Sequence, residues 1–214
     1  MQMYKLQRQE LVDQLSMKGI HDISVLKAIG EVERHKFVPD AIRHLSYNDV
    51  ALPIGYGQTI SQPYTVAFMT QELRLRPGQK VLELGTGSGY QAAILFKMGM
   101  EVFSIERNYD ILMEAQKLFD KLSVRVKTRC ADGTLGWNEY APFDGIIVTA
   151  GSPSVPLSLK NQLSIGGRIV IPVGDKYSQK LKIVTKIDEN KFDEEDIPEF
   201  KFVPLIGKEG WSEK

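Results

Sequence analysis

Apolar residues recur at helical spacing through the first third of the chain. This spacing predicts one helix that ends near Gly19, a second that begins near Asp22 and a short third that begins at Pro39. The periodicity stops over residues 46–62, where prolines and glycines predict a long loop that also contains apolar residues. Loops of this length are uncommon in compact domains unless they bind something. Pro63 suits the first turn of a further helix.

Short apolar runs alternate with amphipathic segments along the middle of the chain. The runs predict strands over residues 80–84, 101–106, 124–129, 144–149 and 168–173. The segments predict helices over residues 88–98, 108–121 and 157–163. Strands and helices that alternate at this spacing indicate a parallel sheet with helices on both faces, and right-handed crossovers make such a sheet doubly wound.

The C-terminal stretch has a different pattern. Residues 180–187 alternate between apolar and polar positions, residues 188–196 predict a charged turn, and residues 200–206 are apolar again. This pattern predicts two antiparallel edge strands. The fold class is therefore α/β: a doubly wound, Rossmann-like, mostly parallel sheet with antiparallel C-terminal edge strands and an N-terminal helical extension. We expect one domain over 1–214, with an extension and loop at 1–76, a core at 77–175 and C-terminal strands at 176–214.

Composition narrows the functional classes. Hydrophobic residues make up 43% and charged residues 25%, which is typical of a globular protein with a full core. Lys plus Arg and Asp plus Glu both number 27, so the basic excess of a nucleic-acid binder is missing. Cys130, the single cysteine, is expected to be a small core residue, and it excludes an intrachain disulfide or a multi-thiolate zinc site.

Hydropathy and the N-terminal residues bear on location and partners. The longest apolar runs have about six residues, whereas about 20 are needed to span a membrane. The polar N-terminus lacks the apolar core of a signal peptide. We therefore expect a cytoplasmic protein, with a monomer as the simplest assembly and with no metal, no nucleic acid and no membrane among its partners.

Three glycines point to a ligand. Gly85, Gly87 and Gly89 follow a predicted strand and open a predicted helix, at the first switch point of the sheet, where ligands of such folds usually bind. The dinucleotide fingerprint has its third glycine one position later, where this chain has Tyr90. The spacing resembles instead the loop of S-adenosylmethionine-dependent methyltransferases. The loop residues expected to contact this cofactor are Gly85, Thr86, Gly87 and Ser88.

Acidic residues at strand ends extend this prediction. Glu106 ends the second core strand and can accept both ribose hydroxyls of a nucleoside, with Arg107 beside it. Asp132 can accept from the adenine amine while Gly133 lets the base approach the backbone, although a plain Asp-Gly turn is the alternative. Glu83 suits the cationic amine of the methionine tail, directly or through water, and a structural ion pair is an equally good interpretation.

Further motifs resemble the protein-L-isoaspartate O-methyltransferase family. The most family-specific stretch is LPIGYGQTISQPY over residues 52–64, in which Gly-Gln-Thr-Ile-Ser precedes a proline. Other matches are PFDGIIVTA at 142–150, GGRIVIPVG at 166–174 and FVPLI at 202–206. The resemblance covers nearly the whole chain from Phe37 to Trp211. Tyr64 stands where some relatives carry histidine, which affects only fine substrate contacts.

The resemblance implies methyl transfer from S-adenosyl-L-methionine to the free α-carboxyl of L-isoaspartyl residues in damaged proteins and peptides. The ester starts repair through a succinimide, and S-adenosyl-L-homocysteine is the other product. Ser61 would orient the acceptor carboxylate through its hydroxyl, although it could also cap the helix at Pro63. Thr59 and Ile60 join the cofactor residues. The substrate residues implied are Ile60, Ser61, Tyr64, Val203, Pro204 and Leu205.

This chemistry needs no acid–base pair. The acceptor carboxylate, with a pKa of about 3.5, is ionised at neutral pH, and the leaving group is a neutral thioether. His21, His35 and His44 are accordingly expected to be surface or packing residues. Other interpretations stay open: a methyltransferase for a small molecule or RNA, a non-catalytic nucleoside-binding module and, disfavoured by Tyr90, a dehydrogenase. The first of these shares the glycine loop, Glu106 and Asp132 but does not explain the motif at residues 58–61.

Overall fold

A computed structural model describes residues 2–212, which contain six α-helices and nine β-strands. The helices are α1 (Gln2–Met17), α2 (Ile23–Glu31), α3 (Pro63–Glu72), α4 (Tyr90–Lys97), α5 (Tyr109–Leu122) and α6 (Leu157–Asn161). The strands are β1 (Leu52–Gly55), β2 (Gln58–Ile60), β3 (Lys80–Leu84), β4 (Glu101–Glu106), β5 (Lys127–Cys130), β6 (Phe143–Val148), β7 (Leu163–Gly174), β8 (Gln179–Asp188) and β9 (Lys191–Phe200). Short 3-10 turns lie at Arg34–Phe37, Asp40–Leu45, Gly133–Leu135 and Asn138–Tyr140.

Strands β3 to β9 form one sheet in the order β5-β4-β3-β6-β7-β8-β9. Strands β3 to β7 pair in parallel, whereas β7 with β8 and β8 with β9 pair antiparallel. The strand order reverses at β3, so the loop after β3 opens at the switch point of the sheet. The predicted Rossmann-like fold class is confirmed. The division of the chain at residues 76 and 175 stays a prediction.

The N-terminal helices share a core with one face of this sheet. Leu15 of α1 and Ile29 of α2 belong to the same buried cluster as Val81 of β3 and Leu95 of α4. The second helix begins where the sequence predicts, because the Asp22 side chain accepts hydrogen bonds from two backbone amides of its first turn. The helical extension is therefore packed directly beside the strands that carry the glycine loop.

The predicted loop over residues 46–62 contains a hairpin. Strands β1 and β2 pair antiparallel, with Leu52 opposite Ile60 and Pro53 opposite Thr59. Tyr56 and Gly57, both at positive φ, form the turn between them. The expectation of a loop without strands is wrong here, because strands of four and three residues are too short to show a period-two pattern.

The second predicted C-terminal strand is also misplaced. Strand β9 occupies most of the stretch predicted as a charged turn, while residues 201–206 lie beyond it and form isolated bridges. The charges are compatible with an edge strand because Lys182 lies 3.1 Å from Glu194 and 2.7 Å from Asp196. Charged side chains are a common feature of sheet edges, where they oppose pairing with other chains.

Two smaller corrections concern the borders of the sheet. Cys130 is exposed rather than part of the core, because β5 lies at the edge of the sheet. Strand β7 begins at Leu163, where the sequence predicts that a helix ends.

Within residues 2–212, no helix combines the length and apolar character needed to cross a membrane. In the same residues, no group of three or more His, Cys, Asp or Glu side chains is placed to hold a metal.

Candidate active site

A cavity lies at the carboxyl ends of β3, β4 and β6, at the switch point. The hairpin and the C-terminal segment cover it from two sides. The predicted site residues that the structure brings together in its wall are Thr59, Ile60, Ser61, Gly85, Thr86, Gly87, Ser88, Glu106, Arg107, Gly133, Val203, Pro204 and Leu205. Three predicted site residues, Glu83, Asp132 and Tyr64, lie outside that wall. The cofactor motif and the family-specific motif therefore share one cavity.

The glycine loop needs its glycines for steric reasons. Gly85 has a φ of +95°, and a Cβ there would lie 2.5 Å from the Thr149 Oγ1. The Thr149 hydroxyl lies within hydrogen-bond distance of the carbonyls of Leu84, at 3.0 Å, and Gly85, at 2.9 Å, so it holds the end of β3. Gly89 has a φ of +85°, and its Cβ would lie 2.6 Å from the Phe119 ring. Of the three glycines, Gly85 and Gly87 line the cavity, where the lack of a side chain allows close approach of a ligand to the backbone.

Glu106 presents a fixed carboxylate at the cavity wall. Its Oε2 accepts from the Gly87 amide at 3.1 Å, and its Oε1 accepts from the Asn108 amide at 3.0 Å. Each carboxylate oxygen has two acceptor sites, so one on each remains after these bonds. The arrangement fits two vicinal hydroxyls of a ribose, which is the role that the sequence predicts for this residue.

Asp132 lies in a neighbouring cavity that shares Arg107 and Ile206 with the first. Its Oδ1 accepts from the Thr134 amide at 2.9 Å, and its Oδ2 accepts from the Lys208 amide at 2.7 Å. Burial raises the pKa of Asp132, but these hydrogen bonds outweigh burial and leave the pKa below its usual value. Asp132 thus caps the 3-10 turn that follows it, and the same carboxylate also fastens the C-terminal segment beside the cavity. Its contact with an adenine amine stays a prediction.

Glu83 is fully buried and does not reach the cavity wall. It accepts a hydrogen bond from the Ser104 hydroxyl, whose oxygen lies 2.6 Å from that of Thr86 in the glycine loop. Burial raises the pKa of Glu83 to about 8. In this geometry Glu83 supports the loop from behind, and its contact with a ligand amine, directly or through water, stays a prediction.

Ser61 lies between β2 and α3, in the cavity wall. The residue that caps α3 is Gln62, so the expectation that Ser61 is the helix cap is wrong. The Ser61 carbonyl accepts from Arg34 Nη2 at 2.9 Å. This hydrogen bond fixes the Ser61 backbone at the cavity wall.

Tyr64 lies outside the wall because it is on another side of α3. Its ring stacks on Phe68 with centroids 5.8 Å apart, and its amide donates to Asp49 at 2.7 Å. The structure thus does not support the prediction of direct substrate contact by Tyr64.

Several wall residues were not predicted. They are Gln58, Val66, Met69, Leu84, Tyr90, Gln91, Ile105, Thr149, Ala150 and Ile206. Thr149 and Ala150 could have been found, because they lie at the carboxyl end of a predicted parallel strand. Gln91 gives a weaker signal, a polar residue in a buried helix, and it donates to the Thr70 hydroxyl at 2.9 Å.

The histidines lie away from the cavity, as predicted. His21 and His44 are exposed. The His35 Nδ1 lies 2.7 Å from the Tyr47 hydroxyl, and its ring stacks on Tyr4. Within the described part of the chain, the cavity wall holds charge at Glu106 and Arg107 and is otherwise neutral. Such a wall fits a nucleoside and a sulfonium centre better than a group with several phosphates, which would require more cationic partners.

Comparisons with known proteins agree with this geometry. The family model described as protein-L-isoaspartate(D-aspartate) O-methyltransferase matches residues 6–210. A protein-L-isoaspartate O-methyltransferase of Cytophaga hutchinsonii is 47% identical over 212 residues, which cover 99% of this chain and 96% of that protein. One of Chlorobium phaeobacteroides is 51% identical over 205 residues, which cover 95% and 94% of the two chains.

Two solved structures are also similar. A protein-L-isoaspartate O-methyltransferase superposes with a TM-score of 0.87 at 29% identity, over 95% of this chain and 67% of that one. A structure described as the β-aspartate methyltransferase of Plasmodium falciparum, in complex with S-adenosyl-L-homocysteine, gives a TM-score of 0.81 at 25% identity, over 93% and 98%.

Proposed function

Because the chain belongs to the protein-L-isoaspartate(D-aspartate) O-methyltransferase family, we propose that it methylates the free α-carboxyl of L-isoaspartyl residues in damaged proteins and peptides, and so initiates their repair through a succinimide. S-adenosyl-L-methionine is the methyl donor and S-adenosyl-L-homocysteine the product. The observation that carries the proposal is that the family motif at residues 58–61 lines the same cavity as the glycine loop.

The reaction requires alignment more than acid–base chemistry. A carboxylate oxygen forms a bond to the methyl carbon while the bond between that carbon and sulfur breaks, and the sulfur leaves as a neutral thioether. The acceptor is already ionised at neutral pH, because its pKa is about 3.5. Among the described residues, the cavity wall contains no histidine, in agreement with this chemistry. The rate then depends on an in-line approach at about 3 Å.

Ser61 is proposed to provide that alignment. Its hydroxyl can donate one hydrogen bond to the carboxylate without adding formal charge. Transfer neutralises a negative acceptor and a positive donor, so a cation beside the acceptor would stabilise the ground state more than the transition state. A neutral donor held by a fixed backbone suits such a reaction.

The cofactor is proposed to lie along the glycine loop. Residues 85–88 would hold the methionine part on their backbone, with Thr59 and Ile60 across the cavity. Glu106, supported by two backbone amides, would accept both ribose hydroxyls. Arg107 and Gly133 would flank the adenine. Asp132 is proposed to act on the adenine end from the neighbouring cavity, since the two cavities share Arg107.

The peptide is proposed to lie along residues 203–205. Val203 and Leu205 already pair with Gly151, whose amide donates to Val203 at 2.7 Å and whose carbonyl accepts from Leu205 at 2.8 Å. Pro204 bridges to the same glycine and offers a carbonyl but no N–H to an added strand. Recognition through backbone would tolerate varied side chains around the isoaspartyl unit. Ile60 and Ser61 would contact the peptide from the hairpin side.

The first prediction concerns Ser61→Ala. Loss of the orienting hydroxyl should lower kcat on an isoaspartyl peptide roughly tenfold to a hundredfold, because small misplacements of reacting groups have effects of this size. The affinity for S-adenosyl-L-homocysteine, measured by calorimetry, should change little. The measurement is transfer of radiolabelled methyl groups to matched isoaspartyl and aspartyl peptides, with release of base-labile methanol as the mark of an ester.

Ser24→Ala is the matched control, because Ser24 is exposed on α2. It should keep full activity. Equal labelling of isoaspartyl and aspartyl peptides would contradict the repair function, and label that resists base would favour a methyltransferase for another acceptor. Full turnover of Ser61→Ala would refute the role of Ser61.

We also propose that the protein is a cytoplasmic monomer with neither a nucleic-acid nor a membrane partner. The zero net charge supports the absence of a nucleic-acid partner. An exposed, unpaired Cys130 suits a reducing compartment such as the cytoplasm. A monomer with no membrane partner is the simplest assembly. Cell fractionation tests the location of the protein, and light scattering tests whether it is a monomer.

A further inference from the structure

Arg34 is a buried arginine beneath the segment that carries Ser61. It lies at the start of the 3-10 turn Arg34–Phe37 and has 0% of its surface exposed. Its Nε donates to the Ser46 carbonyl at 2.9 Å, and its Nη2 donates to the carbonyls of Ser61 at 2.9 Å and Val50 at 3.4 Å. All three acceptors belong to residues 46–61, which include the hairpin. One side chain therefore holds both ends of the hairpin segment.

The same guanidinium also contacts Tyr90, another residue of the cavity wall. It lies over the Tyr90 ring, with its central carbon 4.9 Å from the ring centroid. Tyr90 is the first residue of α4, directly after the glycine loop, and it lines the cavity. The Phe37 ring packs against the edge of the same tyrosine at 5.5 Å. Arg34 thus joins the segment proposed to align the acceptor to the helix that follows the cofactor loop.

Packing alone does not require an arginine at this position. Burial of a charged group is costly unless hydrogen bonds and other contacts compensate it. Burial lowers the pKa of Arg34, and the electrostatic effect of the nearby Tyr90 phenol opposes that shift. The planar guanidinium donates in several directions at once, so it can reach carbonyls from different turns, whereas a lysine ammonium is a compact point charge. The geometry of the donors therefore matters more than the charge.

We propose that Arg34 is a positioning residue for methyl transfer, which fixes the Ser61 backbone and thereby the direction of the Ser61 hydroxyl relative to the glycine loop. This inference rests on the proposed function of Ser61. Arg34 acts through Ser61 and is absent from the cavity wall. Its removal should therefore affect the chemical step more than cofactor binding.

The test is Arg34→Lys, which keeps the charge and loses the fork of donors. We expect kcat on the isoaspartyl peptide to fall about tenfold or more, while the Kd for S-adenosyl-L-homocysteine changes by less than about threefold, since the glycine loop and Glu106 are intact. In an Ser61→Ala background, the same substitution should lower kcat by less than about threefold, because residues that act through one another are not additive.

Arg168→Lys is the matched control. Arg168 is also buried, at 9% exposure, and donates to the backbone carbonyl of Glu72, but it lies at the other end of the sheet beside Gly167. This variant should lose stability yet keep kcat at a temperature below its melting transition. If Arg34→Lys does not fold, Arg34→Gln, which is neutral but still donates, takes its place in the same measurements.

Two results would overturn the inference. One is a loss of kcat that is equal in the wild-type and Ser61→Ala backgrounds. The other is a loss no larger than that of Arg168→Lys. These outcomes differ from failure of the proposed function, in which the wild-type protein itself would transfer no methyl groups to the isoaspartyl peptide. If Ser61→Ala alone has no effect, the role of Ser61 and the inference fail together.

Discussion

Glu106 shows how single residues prepare this site. Its carboxylate is 7% exposed and is held by the amides of Gly87 and Asn108. One of these amides belongs to the glycine loop and the other begins α5. The side chain that would bind a ribose is therefore already oriented by the two elements on either side of it, which reduces the ordering that binding must provide.

Glu106→Gln should weaken cofactor binding. The neutral carboxamide accepts at one atom only, so one ribose hydroxyl and one backbone amide lose their acceptor, and each lost hydrogen bond to a charged group is worth roughly 1.5–3 kcal/mol. We expect the Kd for S-adenosyl-L-homocysteine to rise at least about tenfold by calorimetry. Glu101→Gln, at the exposed opposite end of β4, should bind as the wild type does. An unchanged Kd in Glu106→Gln would exclude the ribose contact.

At the scale of elements, the start of α4 depends on how closely it approaches α5. Gly89 caps α4 in the left-handed region, and the Phe119 ring of α5 fills the space where a side chain would lie. Phe119 is itself buried, so it has little room to move aside. The glycine is needed both for backbone conformation and for packing.

Gly89→Ala should therefore destabilise the protein more than conformational strain alone would. Strain at a positive φ costs about 1 kcal/mol or more, and the contact with Phe119 adds to it. Gly19→Ala is the matched control, since Gly19 has a φ of +96° but no atom within 4 Å of its added Cβ. Chemical denaturation should show a larger loss for Gly89→Ala. Equal losses would mean that the Phe119 contact contributes nothing.

At the scale of the whole molecule, the buried Glu83 couples global stability to pH. Its folded-state pKa is about 8, whereas its usual value is 4.5. The folded protein therefore keeps a proton that the unfolded chain releases between these values. The contribution of this bound proton to the free energy of unfolding is fully present below pH 4.5 and is lost as the pH rises towards 8.

Glu83→Gln should remove this dependence. The amide stays neutral at every pH and can still accept from Ser104. Between pH 5 and pH 8, the free energy of unfolding of the wild type should fall relative to that of the variant, by at most about 1.4 kcal/mol per pH unit. Denaturant titrations at several pH values measure the difference. The exposed Glu139→Gln should follow the wild type, and parallel curves for Glu83→Gln would contradict the burial argument.

Much of the candidate site was predictable because it follows strand ends. Gly85 directly follows a predicted parallel strand, Glu106 ends one and Gly133 lies in the loop after one. Parallel strands bring their carboxyl ends to one edge of the sheet. The predicted ligand contacts of Tyr64 and Glu83 are not supported by the cavity wall, which neither residue joins. Sequence position puts both close to the motifs, but only packing decides which face of a helix or strand borders the cavity.

Local spacing and motifs were sufficient to predict the order of strands β3 to β7, the class of ligand through residues 85–89 and, through family resemblance, the acceptor. Local spacing and steric rules are sufficient for these, because they depend on neighbouring residues. Three features appear only in the folded protein: β9 carries the charged stretch, residues 203–206 line the cavity, and Arg34 reaches Ser61. These contacts join residues distant along the chain, and their free energy comes from burial and hydrogen bonds that exist only after the chain has folded.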